Sequence, residues 1–255
     1  MKNKNLKLVI ILSIVILSLI FLYALNLESK NSNLTTAHFI SETIIVESFP
    51  IGISINPITN IVYVANNHSD TVSVIDGKTN SVTKTIKVGD GPAGISVNPL
   101  TDMIYVANYY SDTISVIDGK THVVVKEIPV DNTPWGIDLN SENNIVYTTN
   151  YFANTISIID GIENNVITTV KTDKPWGIDV NSHTGHVFVA NRGSVNVSTL
   201  KGDVMEKIAI SDTPFKISPN SVSYNEKTNL LYVANSSLIS VIDISTNSIL
   251  EPISV

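Results

Sequence analysis

Short runs in which apolar and polar residues alternate follow one another along much of the chain. In one stretch, residues 94–98 and 113–117 alternate with a period of two, the pattern of a half-buried β-strand. Between them residues 103–107 form an aromatic and β-branched run, and residues 123–130 add a fourth run. Turn-forming Asn, Asp, Gly and Pro residues lie between the runs. No segment after residue 27 keeps a 3.6-residue period, so the pattern predicts a four-stranded antiparallel meander.

The chain repeats this meander five times. In each copy an aromatic residue opens an aromatic-Val/Thr-Ala/Thr-Asn sequence, and these aromatic residues lie 42, 42, 41 and 44 positions apart. They are Tyr63, Tyr105, Tyr147, Phe188 and Tyr232. Four-stranded units of about 40–45 residues are typical of β-propeller blades, whereas a parallel β-helix has much shorter repeats. We therefore predict an all-β fold, a β-propeller of four-stranded meander blades. The five visible blades lie near residues 49–89, 90–131, 132–173, 174–217 and 218–255.

The repeated sequences also carry a family resemblance. Residues 61–66 read IVYVAN, residues 71–76 read TVSVID and residues 145–150 read IVYTTN. These runs resemble the YVTN-family β-propeller repeat of prokaryotic surface-layer and exported proteins, over residues 43–255. The resemblance implies a secreted or cell-surface propeller and no single activity.

The two ends of the repeat array both match the fourth strand of a blade. Residues 43–46 align with such a strand, and residues 248–255 already supply one to the fifth blade. Either the amino-terminal strand adds a fifth strand to that blade, or the chain is part of a larger ring. Pro252 lacks a backbone N–H, which suits an outer edge strand.

The sequence at the amino terminus predicts a membrane anchor. Residues 8–25 form an apolar run long enough for a helix to cross the bilayer, and three lysines precede it. The positive-inside tendency places those lysines in the cytoplasm and the rest of the chain outside. We predict a transmembrane signal-anchor at residues 1–27, a polar tether at 28–42 and the propeller at 43–255, displayed at the cell surface. If the segment is instead a cleaved signal peptide, the protein is secreted, although residues 25–27 make a poor cleavage site.

Composition and charge narrow the chemistry. The chain has no cysteine, which excludes disulfides, thiolate metal sites and a cysteine nucleophile. Its formal charge is −7, and because the first 27 residues contribute +3, residues 28–255 carry −10. An acidic surface repels phosphate backbones, so nucleic acid is not an expected partner. No phosphate-binding glycine loop is present, and we predict no cofactor.

Aromatic residues cluster at one predicted face of the blades. In a propeller, the loops that enter the first strands and those that join the second strands to the third share a face around the central channel. Both tryptophans, Trp135 and Trp176, follow a proline at equivalent positions of neighbouring blades. The second-to-third loops add Tyr109, Tyr110, Tyr151, Phe152 and Arg192. Aromatic faces suit sugars or extended peptides, so we predict a glycan or protein ligand here. The alternative is that the tryptophans only pack in the channel mouth.

Two carboxylates raise the possibility of catalysis. Asp138 and Asp179 each lie two residues beyond a Trp-Gly pair on the innermost strands of neighbouring blades. Glycoside cleavage needs two such carboxylates, one as acid and one as base or nucleophile. Serines occupy this position in the other blades, at Ser54, Ser96 and Ser223, so the structural interpretation is that the repeat has a polar site here.

The remaining polar motifs are interpreted as turns or modification sites. Asp76, Asp118, Asp160 and Asp243 end the third strands and are predicted to make turns. His183 and His186 occupy a turn without a third ligand at recognisable spacing, so no metal site is predicted. Four asparagines stand in patterns that accept N-glycans in exported chains, or are unmodified surface residues. They are Asn33, Asn67, Asn196 and Asn235.

The sequence therefore supports three functional hypotheses. The first is a membrane-anchored, outward-facing propeller that acts as a non-catalytic binding or scaffolding module for a glycan or protein. The second is an extracellular polysaccharide hydrolase or lyase that uses Asp138 and Asp179. The third is a structural surface-layer component. The sequence leaves the oligomeric state open.

Overall fold

The computed structural model of the protein describes residues 43–192, 196–201, 204–209, 220–234 and 238–254. All regular elements in these ranges are β-strands, which confirms the all-β prediction. The predicted transmembrane helix and tether lie outside the described residues. Within the described ranges, no helix has the length and apolar character needed to cross a membrane.

The strands fall into five groups along the chain. The first blade contains β1 (Pro50–Asn56), β2 (Ile61–Asn66), β3 (Thr71–Asp76) and β4 (Ser81–Lys87). The second contains β5 (Pro92–Asn98), β6 (Met103–Asn108), β7 (Thr113–Asp118) and β8 (Val123–Pro129). The third contains β9 (Pro134–Asn140), β10 (Ile145–Asn150), β11 (Thr155–Asp160) and β12 (Asn165–Lys171). The fourth contains β13 (Pro175–Val180), β14 (Val187–Asn191), β15 (Asn196–Lys201) and β16 (Val204–Ala209). The fifth contains β17 (Ser221–Asn225), β18 (Leu230–Ala234), β19 (Leu238–Asp243), β20 (Ser248–Ile249) and β21 (Ile253–Ser254).

Each blade is an antiparallel meander in which strands pair in chain order. The first strands of successive blades contact one another in the order β1, β5, β9, β13 and β17, so they form the inner layer. We call the end at which these first strands begin the upper end, and the end at which the third strands finish the lower end. The loops that enter the first strands and the loops that join the second strands to the third strands both lie at the upper end, as predicted.

The core lies between blades. Between the first and second blades, Tyr63 and Val74 on one sheet pack against Ile95, Val97 and other apolar residues of the next sheet. Equivalent clusters join each later pair of blades. The second, third and fourth blades thus bury both sheet faces against their neighbours, which explains why their second strands are apolar on both faces.

A glycine on the first strand of each of the first four blades lets the blades approach closely. A Cβ atom at Gly94 would lie 2.4 Å from the carbonyl oxygen of Trp135 in the next blade, and one at Gly136 would lie 2.4 Å from that of Trp176. Ser221 replaces this glycine in the fifth blade.

The first and last blades are less covered than the others. Ile53 and Ile55 are 65% and 54% exposed, whereas their equivalents Ile95 and Val97 are buried between blades. In the fifth blade Tyr232 is half-buried, although its counterparts in the other four blades are buried. The described residues therefore leave part of one face of the array uncovered at each end.

The terminal segments differ from the sequence prediction. Residues 43–46, predicted to match a fourth strand, form no strand. The fourth strand of the last blade is split: Ser248 and Ile249 pair with one half of β19, and Ile253 and Ser254 pair with the other half. Pro252 lies between the two pieces and has no N–H to donate, which accounts for the interruption.

Candidate functional site

Hydrogen bonds connect the loops at the upper end to one another. Residues just before the first-strand prolines have left-handed backbone, with φ of 64° at Gly91, 64° at Thr133 and 44° at Lys174. A β-branched residue such as Thr133 is strained there, and strained residues persist only where their surroundings fix them. The N–H of Thr133 donates to Asp112 Oδ1 at 2.7 Å, and its carbonyl accepts from the N–H of Tyr151 at 2.9 Å. Each entering loop is thus tied both to the preceding blade and to its own blade.

A β-bulge follows each of these prolines in the first four blades. The register of β9 against β10 shifts at the Trp135-Gly136 pair, and that of β13 against β14 shifts at Trp176-Gly177. Bulges re-aim the side chains that they carry. In the fifth blade the strands pair without such a shift. The bulges therefore set the direction of both tryptophans.

Thr149 links the two tryptophan segments. Its Oγ1 donates to the carbonyl of Trp176 at 2.8 Å and accepts from the N–H of Gly136 at 2.9 Å. The equivalent residue is alanine in the other four blades. The sequence interpretation did not select Thr149, although this departure from the repeat was visible and could have identified it.

The structure brings the tryptophans into direct contact. The ring centroids of Trp135 and Trp176 are 4.1 Å apart, with the planes tilted by 33°. Tyr109 meets Trp135 edge-to-face at 5.4 Å, and Tyr151 meets Trp176 in the same way at 5.1 Å. Two rings at 4.1 Å leave no room for a sugar ring between them. The flat faces that the sequence suggested for ligand stacking are therefore largely occupied by neighbouring side chains.

Two other rings of this group face solvent. Tyr110 is 68% exposed and Phe152 is 64% exposed, at equivalent positions of the second and third blades. Each stands against the inner ring beside it: Tyr110 contacts Tyr109 at 4.8 Å, and Phe152 contacts Tyr151 at 5.0 Å. Tyr110 also lies over Gly91, where a Cβ atom would come within 2.4 Å of its ring. Part of the exposed apolar surface at the upper end therefore consists of aromatic rings that neighbouring rings support.

The fourth blade places a cation beside the aromatic rings. The Arg192 guanidinium carbon lies 4.2 Å from the centroid of Trp176, a cation–π geometry. Trp176 is therefore in contact with Trp135, Tyr151 and Arg192. The N–H of Arg192 donates to the carbonyl of Lys174, so the two residues adjoin. Within the described part of the chain, neither side chain forms an ion pair. Sequence reasoning selected Arg192 and did not select Lys174.

A small cavity opens among the first strands at this end. Its volume is about 230 Å³, and its lining includes Ile51, Ala93, Ile95, Trp135 and Ile178. Trp135 therefore belongs both to the aromatic group and to the cavity wall. A larger depression of about 530 Å³ lies on the uncovered face of the fifth blade, beside Ser223 and Tyr232. Because equivalent surfaces are buried between the other blades, that depression is a property of the end blade and not a separate pocket of the repeat.

Asp138 and Asp179 tie neighbouring first strands together. Asp138 accepts from the Ser96 hydroxyl at 3.1 Å and from the N–H of Val180 at 2.8 Å, so it joins three blades. Asp179 accepts from the N–H of Tyr224 on the fifth blade. Burial, together with the charge of Asp179, raises the pKa of Asp138 to about 7, and burial also raises the pKa of Asp179. Neither carboxylate lines the cavity at the channel mouth.

The lower end carries the turns expected from the sequence. Asp118 Oδ1 accepts from the N–H groups of Lys120 and Thr121, both at 2.9 Å. These bonds lower the pKa of Asp118. Asp76, Asp160 and Asp243 hold equivalent turns. His186 Nδ1 lies 2.9 Å from Thr184 Oγ1, and no group of three metal-ligating side chains occurs among the described residues.

The four glycan patterns are placed unequally. Asn67 is buried, and its Nδ2 donates to the carbonyl of Pro92 at 3.2 Å, which leaves no room for a glycan in the folded blade. Asn33 and Asn235 lie outside the described residues, and of Asn196 only the backbone is described.

Comparisons with known proteins agree on the fold. The family model described as YNCE-like beta-propeller matches residues 41–175. Hydrazine synthase of Kuenenia stuttgartiensis is similar in structure, with a TM-score of 0.69, 19% identity, and coverage of 83% of this chain and 68% of that chain. At this identity the similarity shows the fold alone. In all, 1458 chains of solved structures match, so the fold singles out no activity. No curated protein sequence matches the chain.

Proposed function

Because the chain belongs to the YNCE-like β-propeller family, we propose that it is a non-catalytic binding or scaffolding module whose upper end engages a glycan or protein. The sequence of residues 1–27 supports a further part of the proposal, in which a membrane anchor displays the propeller outside the cytoplasm. If that segment is cleaved, the same module is secreted.

One observation carries the proposal: the departures from the repeat gather at one end of the second, third and fourth blades. Tyr110 and Phe152 expose rings that inner aromatic residues support, and Arg192 holds a guanidinium over Trp176. Propeller geometry alone does not require any of these residues, since the first blade has Ile51, Asn67 and His68 instead. Supported aromatic rings and arginine are the residues that most often dominate binding surfaces.

The hydrolase alternative has weaker support. A carboxyl group with a pKa near 7 beside a second carboxylate is the chemistry of a general acid and its partner. However, the oxygens of Asp138 and Asp179 accept hydrogen bonds from the backbone of the next blade, which is a structural task. The surface-layer alternative draws on the partly uncovered faces of the first and last blades.

Intrinsic fluorescence offers a direct test, because both tryptophans of the chain belong to the proposed site. We expect the full chain to bind a member of a panel of cell-wall glycans, surface glycans and peptides, and this ligand to change the tryptophan emission. A ligand that binds without changing the emission would contradict the placement at the upper end. An Asp138→Asn/Asp179→Asn variant is the matched control for catalysis: turnover of a glycan by the native chain that this variant loses would support the hydrolase instead.

A further inference from the structure

Two carboxyl groups share one hydrogen-bond donor in the inner layer. The N–H of Val180 lies 2.8 Å from Asp138 Oδ2 and 3.1 Å from Asp179 Oδ1, so the two carboxyl groups are neighbours. Both side chains are partly buried. The shared donor offsets only part of the repulsion between two adjacent carboxylates, so the arrangement favours a state in which the pair retains one proton. Burial, together with the charge of Asp179, accordingly raises the pKa of Asp138 to about 7.

The pair belongs to the hydrogen bonds that connect successive first strands. Asp138 accepts from the Ser96 hydroxyl on β5 at 3.1 Å and from the N–H of Val180 on β13. Asp179 accepts from the N–H of Tyr224 on β17. The two carboxyl groups therefore contact the first strands of four successive blades, β5, β9, β13 and β17. A change in their charge acts directly on contacts of the inner layer.

The same two strands carry the stacked tryptophans. Trp135 precedes Asp138 by three residues on β9, and Trp176 precedes Asp179 by three residues on β13. Between these positions the strands approach closely, since a Cβ atom at Gly136 would lie 2.4 Å from the carbonyl oxygen of Trp176. The two rings are 4.1 Å apart. We therefore expect a separation of β9 from β13 at the carboxyl pair to alter the contact between the rings.

Among the described residues, the groups that face the pair are neutral or acidic. Glu226, in the turn after β17, adds negative charge near Asp179. Tyr147 on β10 pairs with Asp138, and burial raises the pKa of its phenol, so it stays neutral near pH 7. Phe188 on β14 pairs with Asp179. Within the described ranges neither carboxyl group forms an ion pair, so no cation offsets the charge of the ionised pair.

We propose that Asp138 and Asp179 form a pH-sensitive switch between β9 and β13. With one proton on the pair, the strands stay in contact and Trp135 stacks on Trp176. When that proton is lost to solvent, the two carboxylates repel each other, the strands separate and the stack opens. Serine stands at the equivalent position of the other three blades, at Ser54, Ser96 and Ser223. The effect of the switch on recognition rests on the proposed binding function: the upper end binds best below pH 7, where its rings are held in place.

The test uses the full chain without a ligand, because both tryptophans lie on the two strands that the pair connects. We expect tryptophan emission to change reversibly between pH 5 and pH 8.5, with a midpoint near pH 7. Acrylamide, a neutral quencher, should quench this emission more strongly at pH 8.5 than at pH 5, because the opened stack exposes the ring faces. Far-ultraviolet circular dichroism should stay constant over the same range, which separates the switch from unfolding.

Serine supplies the matched variants, because the repeat already carries it at this position. Asp138→Ser/Asp179→Ser should lose the emission change near pH 7. Asp179→Ser alone should shift the midpoint to lower pH, since the charge of Asp179 contributes to the raised pKa of Asp138. Asp160→Ser, which replaces a carboxylate in a turn of the lower end, should keep the native midpoint. Histidines titrate in the same range, but every variant retains all of them.

Three results would overturn the inference. Constant emission and quenching of the native chain from pH 5 to pH 8.5 would show that the charged pair is accommodated without separation of the strands. An unchanged titration in the double variant would assign it to other groups. If the double variant does not fold, an unshifted midpoint in Asp179→Ser would do the same. Because no ligand enters these measurements, a chain that titrates as expected but binds no glycan or peptide would lose the proposed function and keep the switch.

Discussion

The lower and upper ends of the same blades differ in how far their side chains repeat from blade to blade. At the lower end, Asp76, Asp118 and Asp160 hold their turns with the same hydrogen bonds, blade after blade. At the upper end, equivalent positions carry Ile51, Ala93, Trp135, Trp176 and Asn220. At each end the backbone is similar from blade to blade, because the entering loops and the turns recur in each blade. The side chains at the upper end differ from blade to blade, whereas an aspartate recurs in four of the five blades at the lower end.

This difference separates folding from recognition. The lower turn has the same aspartate in four of the five blades, since each blade must reverse its chain in the same way, and Lys201 stands at this position in the fourth blade. A ligand that crosses several blades meets each blade at a different point, so a binding surface does not need to repeat. Residues with positive φ occur at both ends, for example Thr133 and Lys174 at the upper end and His122 at the lower end, so backbone conformation does not distinguish the two ends.

The largest expected effect concerns the carboxylates between the two ends. Folding raises the pKa of Asp138 from 3.8 to about 7, so between these values the folded chain holds a proton that the unfolded chain has lost. Stability should therefore be highest below pH 4 for this group and fall as pH rises to 7. Urea unfolding from pH 5 to 8 should show this fall, with Asp179 acting in the same direction.

Asp138→Asn supplies the control for that pH dependence. The amide oxygen still accepts from the N–H of Val180 but does not titrate, so the stability of this variant should change less between pH 5 and 8. An identical slope in the variant and the native chain would show that Asp138 does not carry the effect.

A somewhat smaller effect is expected where the upper end shares the framework of all blades. Gly136→Ala places a Cβ atom 2.4 Å from the carbonyl of Trp176, and the blades must separate to admit it. We expect a loss of about 1–3 kcal/mol in the free energy of unfolding, together with altered tryptophan emission. Gly185→Ala is the control, because a Cβ atom there meets nothing within 4 Å and only the positive φ adds strain. Equal losses in both variants would argue against close contact between the blades.

The turns of the lower end should affect stability without affecting recognition. Asp118→Ala removes the acceptor of two backbone N–H groups, which costs about 1–2 kcal/mol. Thr149→Ala, by contrast, removes the link between the tryptophan segments and should change tryptophan emission. If Asp118→Ala altered ligand affinity as strongly as Thr149→Ala, the division between the two ends would be wrong.

The smallest expected effect concerns a surface ion pair. Lys87 Nζ lies 3.0 Å from Asp70 Oδ2, and both side chains are in contact with solvent. Exposed pairs of this kind contribute roughly 0–1 kcal/mol. Lys87→Ala should therefore leave the unfolding midpoint nearly unchanged, and salt should remove any remaining difference. A large loss of stability would mean that charges at the upper end stabilise the fold. We assign that stabilisation to packing instead.

The sequence predicted the strands well because the pattern of each strand occurs five times along the chain. Period-two patterns and turn residues located the strands of the second blade to within two residues of the observed bounds, as at β5 (Pro92–Asn98). The strand at residues 43–46 was wrong, because a matching pattern does not form a strand without a partner edge. Residues 1–42 lie outside the described ranges, so the anchor stays a prediction.

The site was predictable in its members and not in its geometry. The sequence selected Trp135 and Trp176 because they depart from the repeat, but it could not show that the two rings stack on each other. That contact depends on the β-bulges and on Thr149, which act across blades. Lys174 was missed because a single lysine in a loop has no pattern of its own. Contacts between residues about 40 positions apart are set by packing, which the local sequence does not encode.

The most direct test of the account measures whether exposed rings at the upper end carry recognition. Two double variants each remove two exposed apolar side chains: Tyr110→Ala/Phe152→Ala at the upper end, and Val123→Ala/Val125→Ala on the outer strand of the second blade. Affinity for the first ligand identified by tryptophan emission should fall tenfold or more in the first variant, since aromatic contacts contribute about 1–2 kcal/mol each, and stay unchanged in the second. Unchanged affinity in the first variant, or an equal loss in both, would contradict the assignment of recognition to the upper end.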